Sequence, residues 1–452
     1  MSGFRHLTVR VAGISALLRL PPLSYAPKRP YGQVRERRGD CRTVRSRWSA
    51  GGSAVTRRVT VIVVLAMVLA IVEPPAGAQT SHSWAIAHSV NQGNDTNFLY
   101  GVSCPSATSC TAVGFYTSPG VDRTLIESWN GAAWKVVPSP SPGGVWNFLY
   151  GVSCTSADAC TAVGRYENPN GTNRTLIETW DGATWKVAPS PNRGSAANVL
   201  SAVWCASTVS CVAVGSSQVG ASTRTLVETW NGHTWALDAS SANHAPSSDN
   251  SLAGVSCAAA RSCTAVGSYV DPHGVPHTLV ESWNGTRWSI VPSRDNGPDG
   301  STLTGVSCLS ATSCQAVGTY EIAGFDTGLL PRTLVESWNG TKWSIGPSPN
   351  RGTSANAFTG VSCVSATACK AVGWYQTHTA GVHQTLTETW NGKTWRIVGS
   401  PNPVTSPTTD NYLGVRGSAL NAVACRSVNV CRSAGFYVDI DGHDRALIES
   451  YT

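Results

Sequence analysis

Two cysteines separated by five residues, followed four positions later by a glycine, recur seven times in this 452-residue chain, first in "GVSCPSATSCTAVGFY" at residues 101–116. The pairs are Cys104/Cys110, Cys154/Cys160, Cys205/Cys211, Cys257/Cys263, Cys308/Cys314, Cys363/Cys369 and Cys425/Cys431. They begin about fifty residues apart, a period that signals an array or a propeller of repeated units rather than one irregular core. Constant local spacing also selects one connectivity from the many that fourteen cysteines allow, namely a disulfide inside each repeat. Zinc is the weaker reading, because two thiolates per repeat with no further Cys or His at a fixed offset make a poor four-ligand set.

One repeat reads Leu-x-Gly-Val-Ser-Cys, five turn-like residues, Cys-x-Ala-Val-Gly-x-Tyr, a variable stretch, Thr-Leu-x-Glu-x-Trp, Asn-Gly-x-x, and a second Trp that leads to Pro-Ser-Pro. These are four short strand signals between turn signals. In "TLIESW" at residues 124–129, Leu125 and Ile126 fall on opposite faces, which suits a strand covered on both sides. Asn130-Gly131 supplies the positive backbone angle of a hairpin, and Trp129 and Trp134 are expected to meet across it. A disulfide across the first hairpin closes so small a loop that its chain-entropy contribution is roughly 2 kcal/mol.

The two ends of the array complement each other. An isolated fourth-strand signal, "SHSWAIAHSVN", precedes the first repeat, with Trp84 in the place of the second Trp. At the other end "RALIESYT" stops after a third strand. One N-terminal strand added to three C-terminal strands completes a seventh blade and removes the open edge. The sequence therefore predicts an all-β, seven-bladed β-propeller of four-stranded blades over residues 79–452.

What precedes residue 79 reads differently. Residues 1–78 carry thirteen of the 33 Lys and Arg but three of the 26 acids, so the rest of the chain has 20 basic against 23 acidic side chains. The folded part thus lacks the basic footprint of a nucleic-acid binder. "TRRVTVIVVLAMVLAIVEPPAGAQ" places Arg57 and Arg58 before a 14-residue apolar run, then Pro74-Pro75 and small residues. Residues 55–78 read as a signal peptide cleaved after Ala78, too short in its apolar run to span a bilayer as a stable anchor. The Arg- and Pro-rich residues 1–54 read as a non-structural upstream extension, with initiation near Val55. Export also accounts for the disulfides.

The run from "CKAVGWY" through "TLTETWNGKTW" to "SPNP", residues 369–403, resembles the kelch-type propeller repeat, in which a glycine-ended second strand precedes an aromatic-rich hairpin with a Trp on the fourth strand. The resemblance extends over all seven repeats and implies a kelch-like relative, similar to repeat proteins exported by high-GC soil bacteria. The family's Gly-Gly doublet is absent: Phe115, Arg165, Ser216, Ser268, Thr319, Trp374 and Phe436 follow the glycine. A copper-radical oxidase of this type needs a Cys free to crosslink to Tyr, and the mature cysteines all pair. Sialidase-type aspartate boxes match less well, since Asp181-Gly182 lacks the intervening residue.

In a four-stranded blade the one-to-two and three-to-four turns share one face of the disc. Here those turns are nearly constant, whereas the opposite connections vary, from "TSPGVD" and "ENPNGTN" to "EIAGFDTGLLP", "VDIDGHD", "ANHAPSSDNS" and "NPVTSPTTDNYLGVRGS". That contrast points to a scaffold presenting a binding face to an extracellular glycan or protein. The alternative is a glycan-acting, sialidase-like hydrolase with its groups on the same loops.

No catalytic set is read from the sequence. The glutamates repeated in every blade (Glu127, Glu178, Glu228, Glu281, Glu336, Glu388, Glu449) recur too regularly for one catalytic centre, and Arg123, Arg174, Arg224, Arg332 and Arg445, four residues earlier, suggest structural ion pairs or hydrogen bonds. Trp146, Trp204 and Trp374 belong to no repeated position and are expected to pack singly. Asp439, Asp441 and Asp444 in "DIDGHD" are the one metal expectation, as alternate carboxylates around a turn glycine suit calcium. No other cofactor is expected, and a closed ring is expected to be a monomer. Intact-mass analysis of the exported protein should give a chain that starts at Gln79 with fourteen thiols oxidised; recovery of any peptide from residues 1–54 would overturn the leader assignment.

Overall fold

The computed structural model describes residues 82–93, 95–244, 249–323, 328–377, 382–403 and 416–452. The leader, the upstream extension and parts of three long loops named above lie outside the described residues. Among the described residues no helix is long and apolar enough to cross a membrane.

Seven antiparallel sheets of four strands each are arranged as blades around an axis. Blade 1 runs through Asn97–Ser106, Ser109–Ser118, Val121–Trp129 and Trp134–Val136. The first strand of each blade is innermost and the fourth outermost. Blade 7 is made as the sequence predicts: Trp84–Ala87 pairs with Asp444–Tyr451, with Trp84 opposite Tyr451. The all-β, seven-bladed propeller is thus the fold, closed by its N-terminal strand.

The repeated apolar residues form the cores between blades. In blade 1, Leu99, Ala112 and Leu125 face blade 7, where they meet Ala434 and Ile448, and Val113 and Ile126 face blade 2, where they meet Leu149 and Ala162. This two-sided burial is why the third strands carry no polar alternation.

The Ala-Val-Gly glycine has a steric cause. Each innermost strand contains a bulge, between Leu99 and Gly101 in blade 1 and at the equivalent place in every other blade. A Cβ on Gly114 would stand 1.8 Å from the carbonyl oxygen of Phe98 across that bulge. The Leu-x-Gly glycine lies where innermost strands converge: a Cβ on Gly101 would be 3.0 Å from the Tyr150 oxygen and 3.2 Å from the Gly151 Cα.

On the constant-turn face, all seven disulfides form within a hairpin, with Cα atoms 3.8 Å apart in blade 4 and 4.0 Å elsewhere. The structure adds a distinction that the spacing does not make, because the second cysteine of each pair is buried and belongs to an inter-blade core. Cys110 packs in the 7/1 core with Leu99 and Trp134, Cys211 in the 2/3 core with Leu200 and Trp235, and Cys263 in the 3/4 core with Leu252 and Trp288. Each disulfide therefore fills core volume as well as closing its hairpin. Trp129 and Trp134 lie 5.8 Å apart across the Asn-Gly loop, and Trp129 Nε1 donates to the Ala107 carbonyl of the first hairpin. Asn130 closes the loop by accepting from the backbone N–H groups of Ala132 and Ala133.

The seven glutamates are structural, but their partners are not the arginines. Four residues along a strand span about 13 Å, too far for an ion pair. Instead each glutamate is fully buried and accepts a hydrogen bond from the linker that enters its blade. Ser139 donates to Glu178 at 2.6 Å, Ser190 to Glu228 at 2.9 Å and Ser400 to Glu449 at 2.6 Å. Ser348 serves Glu388, backbone N–H groups of Ala242 and Arg294 serve Glu281 and Glu336, and Ser89 serves Glu127 at 2.8 Å. The arginines bind elsewhere: Arg174 donates to the carbonyls of Gly194 and Ala196, and Arg332 to that of Thr353.

Burial pushes these carboxyls up, to about 7 for Glu127, Glu281 and Glu336 and about 8 for Glu178, Glu228, Glu388 and Glu449, against the opposing hydrogen bonds. Between the unfolded value near 4.5 and those values the folded chain binds more protons than the unfolded one, so their contribution falls as pH rises. The melting temperature should therefore decline from pH 5 to pH 8, and Glu178→Gln, which stays neutral, should make that decline shallower and melt above the parent at pH 8. A variant with an unchanged pH slope would show that Glu178 enters the fold ionised.

Candidate functional site at the channel mouth

The bulge in each innermost strand leaves one residue without a cross-strand partner, and that residue faces the axis. The seven are Tyr100, Tyr150, Ser201, Ala253, Thr304, Thr359 and Asn421, and they line a channel of about 210 Å³. Their backbones are equivalent and their side chains are not. Three tie the ring together: Thr304 Oγ1 donates to the Phe358 carbonyl at 2.9 Å, Thr359 Oγ1 to that of Leu420 at 2.6 Å, and Asn421 Nδ2 to that of Leu99 at 2.8 Å. Tyr100, Tyr150, Ser201 and Ala253 make no such link among the described residues, which leaves the arc from blade 1 to blade 4 to present its side chains to the channel.

That arc begins with aromatic groups. Tyr100 and Tyr150 meet edge to face at 5.2 Å, each stacked beside a phenylalanine of its own strand, Phe98 and Phe148. Under them Phe98, Phe115, Phe148 and Phe436 form one buried cluster shared by blades 7, 1 and 2, against which Trp374 of blade 6 packs. Arg165 stands 4.7 Å over the Phe148 ring and donates to the Tyr150 hydroxyl at 2.9 Å and to Asn173. The equivalents of Phe115 and Arg165 in blades 3, 4 and 5 are Ser216, Ser268 and Thr319. An aromatic and cationic wall thus faces a wall of small hydroxyl groups.

Two carboxylates come to the same side of the mouth. Asp122 is the second residue of the third strand of blade 1 and Asp444 the first of that of blade 7; both are buried, and both act electrostatically on the Tyr100 hydroxyl. Burial, followed by the Tyr150 phenol, raises Tyr100 well above the usual phenol range. Asp122 is raised by burial, although Thr117 donates to it at 2.7 Å.

Asp444 is therefore set apart from the two carboxylates with which the sequence groups it. It takes a hydrogen bond from Thr96 Oγ1 at the blade 7/1 boundary. Asp439 and Asp441 instead come together with His443, with one ligand atom from each lying within 4.8 Å of the others. Asp439 Oδ1 accepts from the N–H groups of Asp441 and His443, and Oδ2 accepts from Arg445. Asn168 and Asp271 close the equivalent turns of blades 2 and 4 in the same way. The alternating pattern thus has a turn-building role that an uncharged Asn also performs.

The cysteines contribute nothing to the channel mouth. Cys110, Cys211 and Cys263 are 1%, 4% and 2% exposed and disulfide-bonded, so their sulfurs are neither ligands nor nucleophiles for a molecule at the surface. Their place is structural, between blades rather than in a site.

The three unrepeated tryptophans have separate places. Trp374 stacks on His383 at 4.0 Å beside the aromatic cluster, and burial lowers His383 to about 4. Trp204 stands where five of the other blades carry a serine whose hydroxyl accepts from the next blade's cysteine N–H, as Ser103 does from Cys154 and Ser153 from Cys205. It packs instead into the blade 3/4 core beside Cys257. Trp146 is 39% exposed in the linker ahead of blade 2.

Sequence reading missed Tyr100, Tyr150, Arg165 and Asp122. The signal was present in register: within Leu-x-Gly and Gly-x-Tyr, the x positions change chemistry from blade to blade while their neighbours hold.

No family model and no curated sequence matches the chain. Among solved structures it is similar to YCF48 bound to a D1 peptide, with 11% identity, a TM-score of 0.45, and coverage of 82% of this chain and 96% of that one. It is likewise similar to the WD40 β-propeller domain of Doa1, with 9% identity, a TM-score of 0.47, and coverage of 82% and 97%. A third is the GH74 xyloglucanase from Xanthomonas campestris, with 13% identity, a TM-score of 0.46, and coverage of 81% of this chain and 55% of that one.

Proposed function

We propose that this chain is a secreted binding propeller, a kelch-like relative that presents its variable loops and channel mouth to an extracellular glycan or protein ligand. The observation that carries this reading is the split among the bulge residues. Backbone positions that are equivalent around the ring hold an aromatic pair with Arg165 at one side and small side chains at the other. Packing alone would favour repetition there, as it does for the leucines, glycines and glutamates. Seven hairpin disulfides agree with an oxidising extracellular setting.

A second reading, glycan hydrolysis, draws on Asp122 and Asp444. Two carboxylates in different environments beside one mouth are the minimum a glycosidase needs.

One experiment separates these readings: incubation of the oxidised protein with panels of bacterial and plant polysaccharides and extracellular proteins, scoring retention and released sugar. Retention without release is expected, reduced at least tenfold by Tyr150→Ala or Arg165→Ala and unchanged by Lys393→Ala on the opposite face. Release of product that Asp122→Asn abolishes would replace binding with catalysis, and retention indifferent to the mouth variants would overturn the site. Calcium at the loop of Asp439 and Asp441 is a separate proposal. Millimolar calcium should raise the melting temperature of chelator-treated protein but not that of Asp441→Asn; no rise in the parent would remove the ion from the account.

A further inference from the structure

The constant-turn face carries a second candidate site, independent of the channel mouth. Neighbouring blades leave clefts beside their disulfides, and their contents differ. The residue after each second-strand cysteine points into the cleft toward the next blade. It is Thr161 at the 2/3 cleft, which holds about 210 Å³, and Thr264 at the 4/5 cleft, which holds about 60 Å³. At the 7/1 cleft Arg432 fills the space, with its guanidinium 5.2 Å over Trp129 and Nη1 donating to the Cys431 carbonyl at 3.1 Å.

The 6/7 cleft combines a cation with room. It holds about 250 Å³, and the residue after Cys369 is Lys370. Lys370 is 7% exposed, and its Nζ stands 3.6 Å from the centre of the Tyr451 ring. Among the described residues it makes no ion pair or hydrogen bond, and no carboxylate lines the cleft. A buried ammonium normally has a partner, because desolvation without one costs several kcal/mol per ion. A single ring face offsets part of that cost. Consistent with this, burial lowers Lys370 to about 8. Of the clefts described, this one has both the charge to bind an anion and the volume to admit one.

The rest of the lining narrows the ligand. Trp390 lines the cleft as a flat aromatic wall, while Thr389, Asn391 and Asn429 supply hydroxyl and amide groups. The volume lies below that of most drug-sized sites and suits a single ring. We propose that the cleft between blades 6 and 7 binds an acidic monosaccharide of the uronic acid class, with its carboxylate on Lys370 Nζ and its ring against Trp390. A carboxylate there gives the buried ammonium its missing counter-ion, and the hydroxyl groups of the sugar meet the amides of Asn391 and Asn429.

The test is titration of the oxidised protein with D-glucuronate and with D-glucose, followed by tryptophan fluorescence and ligand-observed NMR. Saturable glucuronate binding is expected, with glucose at least tenfold weaker. Lys370→Thr and Lys370→Gln install residues that other blades already carry there, as Thr111, Thr161, Thr264 and Gln315, so both should keep the parent's melting behaviour. Each should weaken glucuronate at least tenfold. The site is overturned if glucuronate shows no saturation at millimolar concentration, if glucose binds equally well, or if either folded variant binds glucuronate as the parent does. Tyr150→Ala should leave glucuronate binding intact, so failure of this site and failure of the mouth are read separately.

Discussion

Closing seven sheets on one axis brings the innermost strands so near each other that their backbones leave space for nothing larger than a methyl group between them. The other features of the channel follow from that constraint. Glycines or alanines occupy the point of closest approach, from Gly101 through Ala202 to Ala422. A bulge just before it takes up the extra length, and a second glycine on the paired strand, such as Gly114, makes room for the bulged carbonyl. The bulged residue, with no strand partner, turns to the channel. Geometry that serves closure thus also supplies seven side chains that packing does not dictate.

Closure has an electrostatic counterpart farther out. Each linker enters its blade over a fully buried glutamate, and the ring is held at seven such junctions, including the one from Ser89 that ties the linker after the N-terminal strand to blade 1. Among the described residues, several of these carboxyls keep one oxygen without a partner, as at Glu178, Glu228 and Glu449. An ionised carboxylate in that setting would be poorly compensated. The arrangement is better matched to the protonated acid, which ties the strength of the inter-blade junctions to pH. An Arg placed beside the glutamate would have removed that dependence, but the strand repeat puts the arginines at the other end of the strand, where Arg174 and Arg332 hold linker carbonyls and Arg445 pairs with Asp439.

Much of the architecture was legible because its causes are local. Hairpin cysteines, Asn-Gly turns and alternating apolar residues act within ten positions of each other, and Trp84 revealed closure because it repeats a pattern whose remainder lies at the far end. The spacing paired Cys110, Cys211 and Cys263 with their partners, but that these three are core residues between blades depends on the neighbouring blade and could not be read from it. The mouth was not legible in the same way. Tyr100 and Asp444 are 344 positions apart, and only the ring brings them to one side. Asp444 illustrates the difference: its neighbours Asp439 and Asp441 made it look like part of a loop cluster, whereas the strand it opens carries it inward, to Thr96. Lys370 was hidden for a related reason, since its place in the sequence is an ordinary second-strand position and its isolation depends on what blade 7 sets opposite it.

The two faces of the disc differ in what they can tolerate, and that difference bears on where the proposed recognition is located. On the constant-turn face each blade is fixed by a disulfide, and in most blades the first tryptophan of the hairpin also donates to the neighbouring turn, so sequence change there is limited to the residues that fill the clefts. On the opposite face the linkers are fixed at their roots, by the glutamate bond and by buried side chains such as Asn147 and Asn198 that hold the linker backbone. Beyond those roots the loops differ freely in length and charge. A scaffold rigid at the roots and variable beyond them can change its ligand without changing its fold. The clefts of the constant face have the opposite property: one residue, the one after the second-strand cysteine, decides whether a cleft is filled, neutral or cationic. A single substitution of that kind separates the 6/7 cleft from its neighbours.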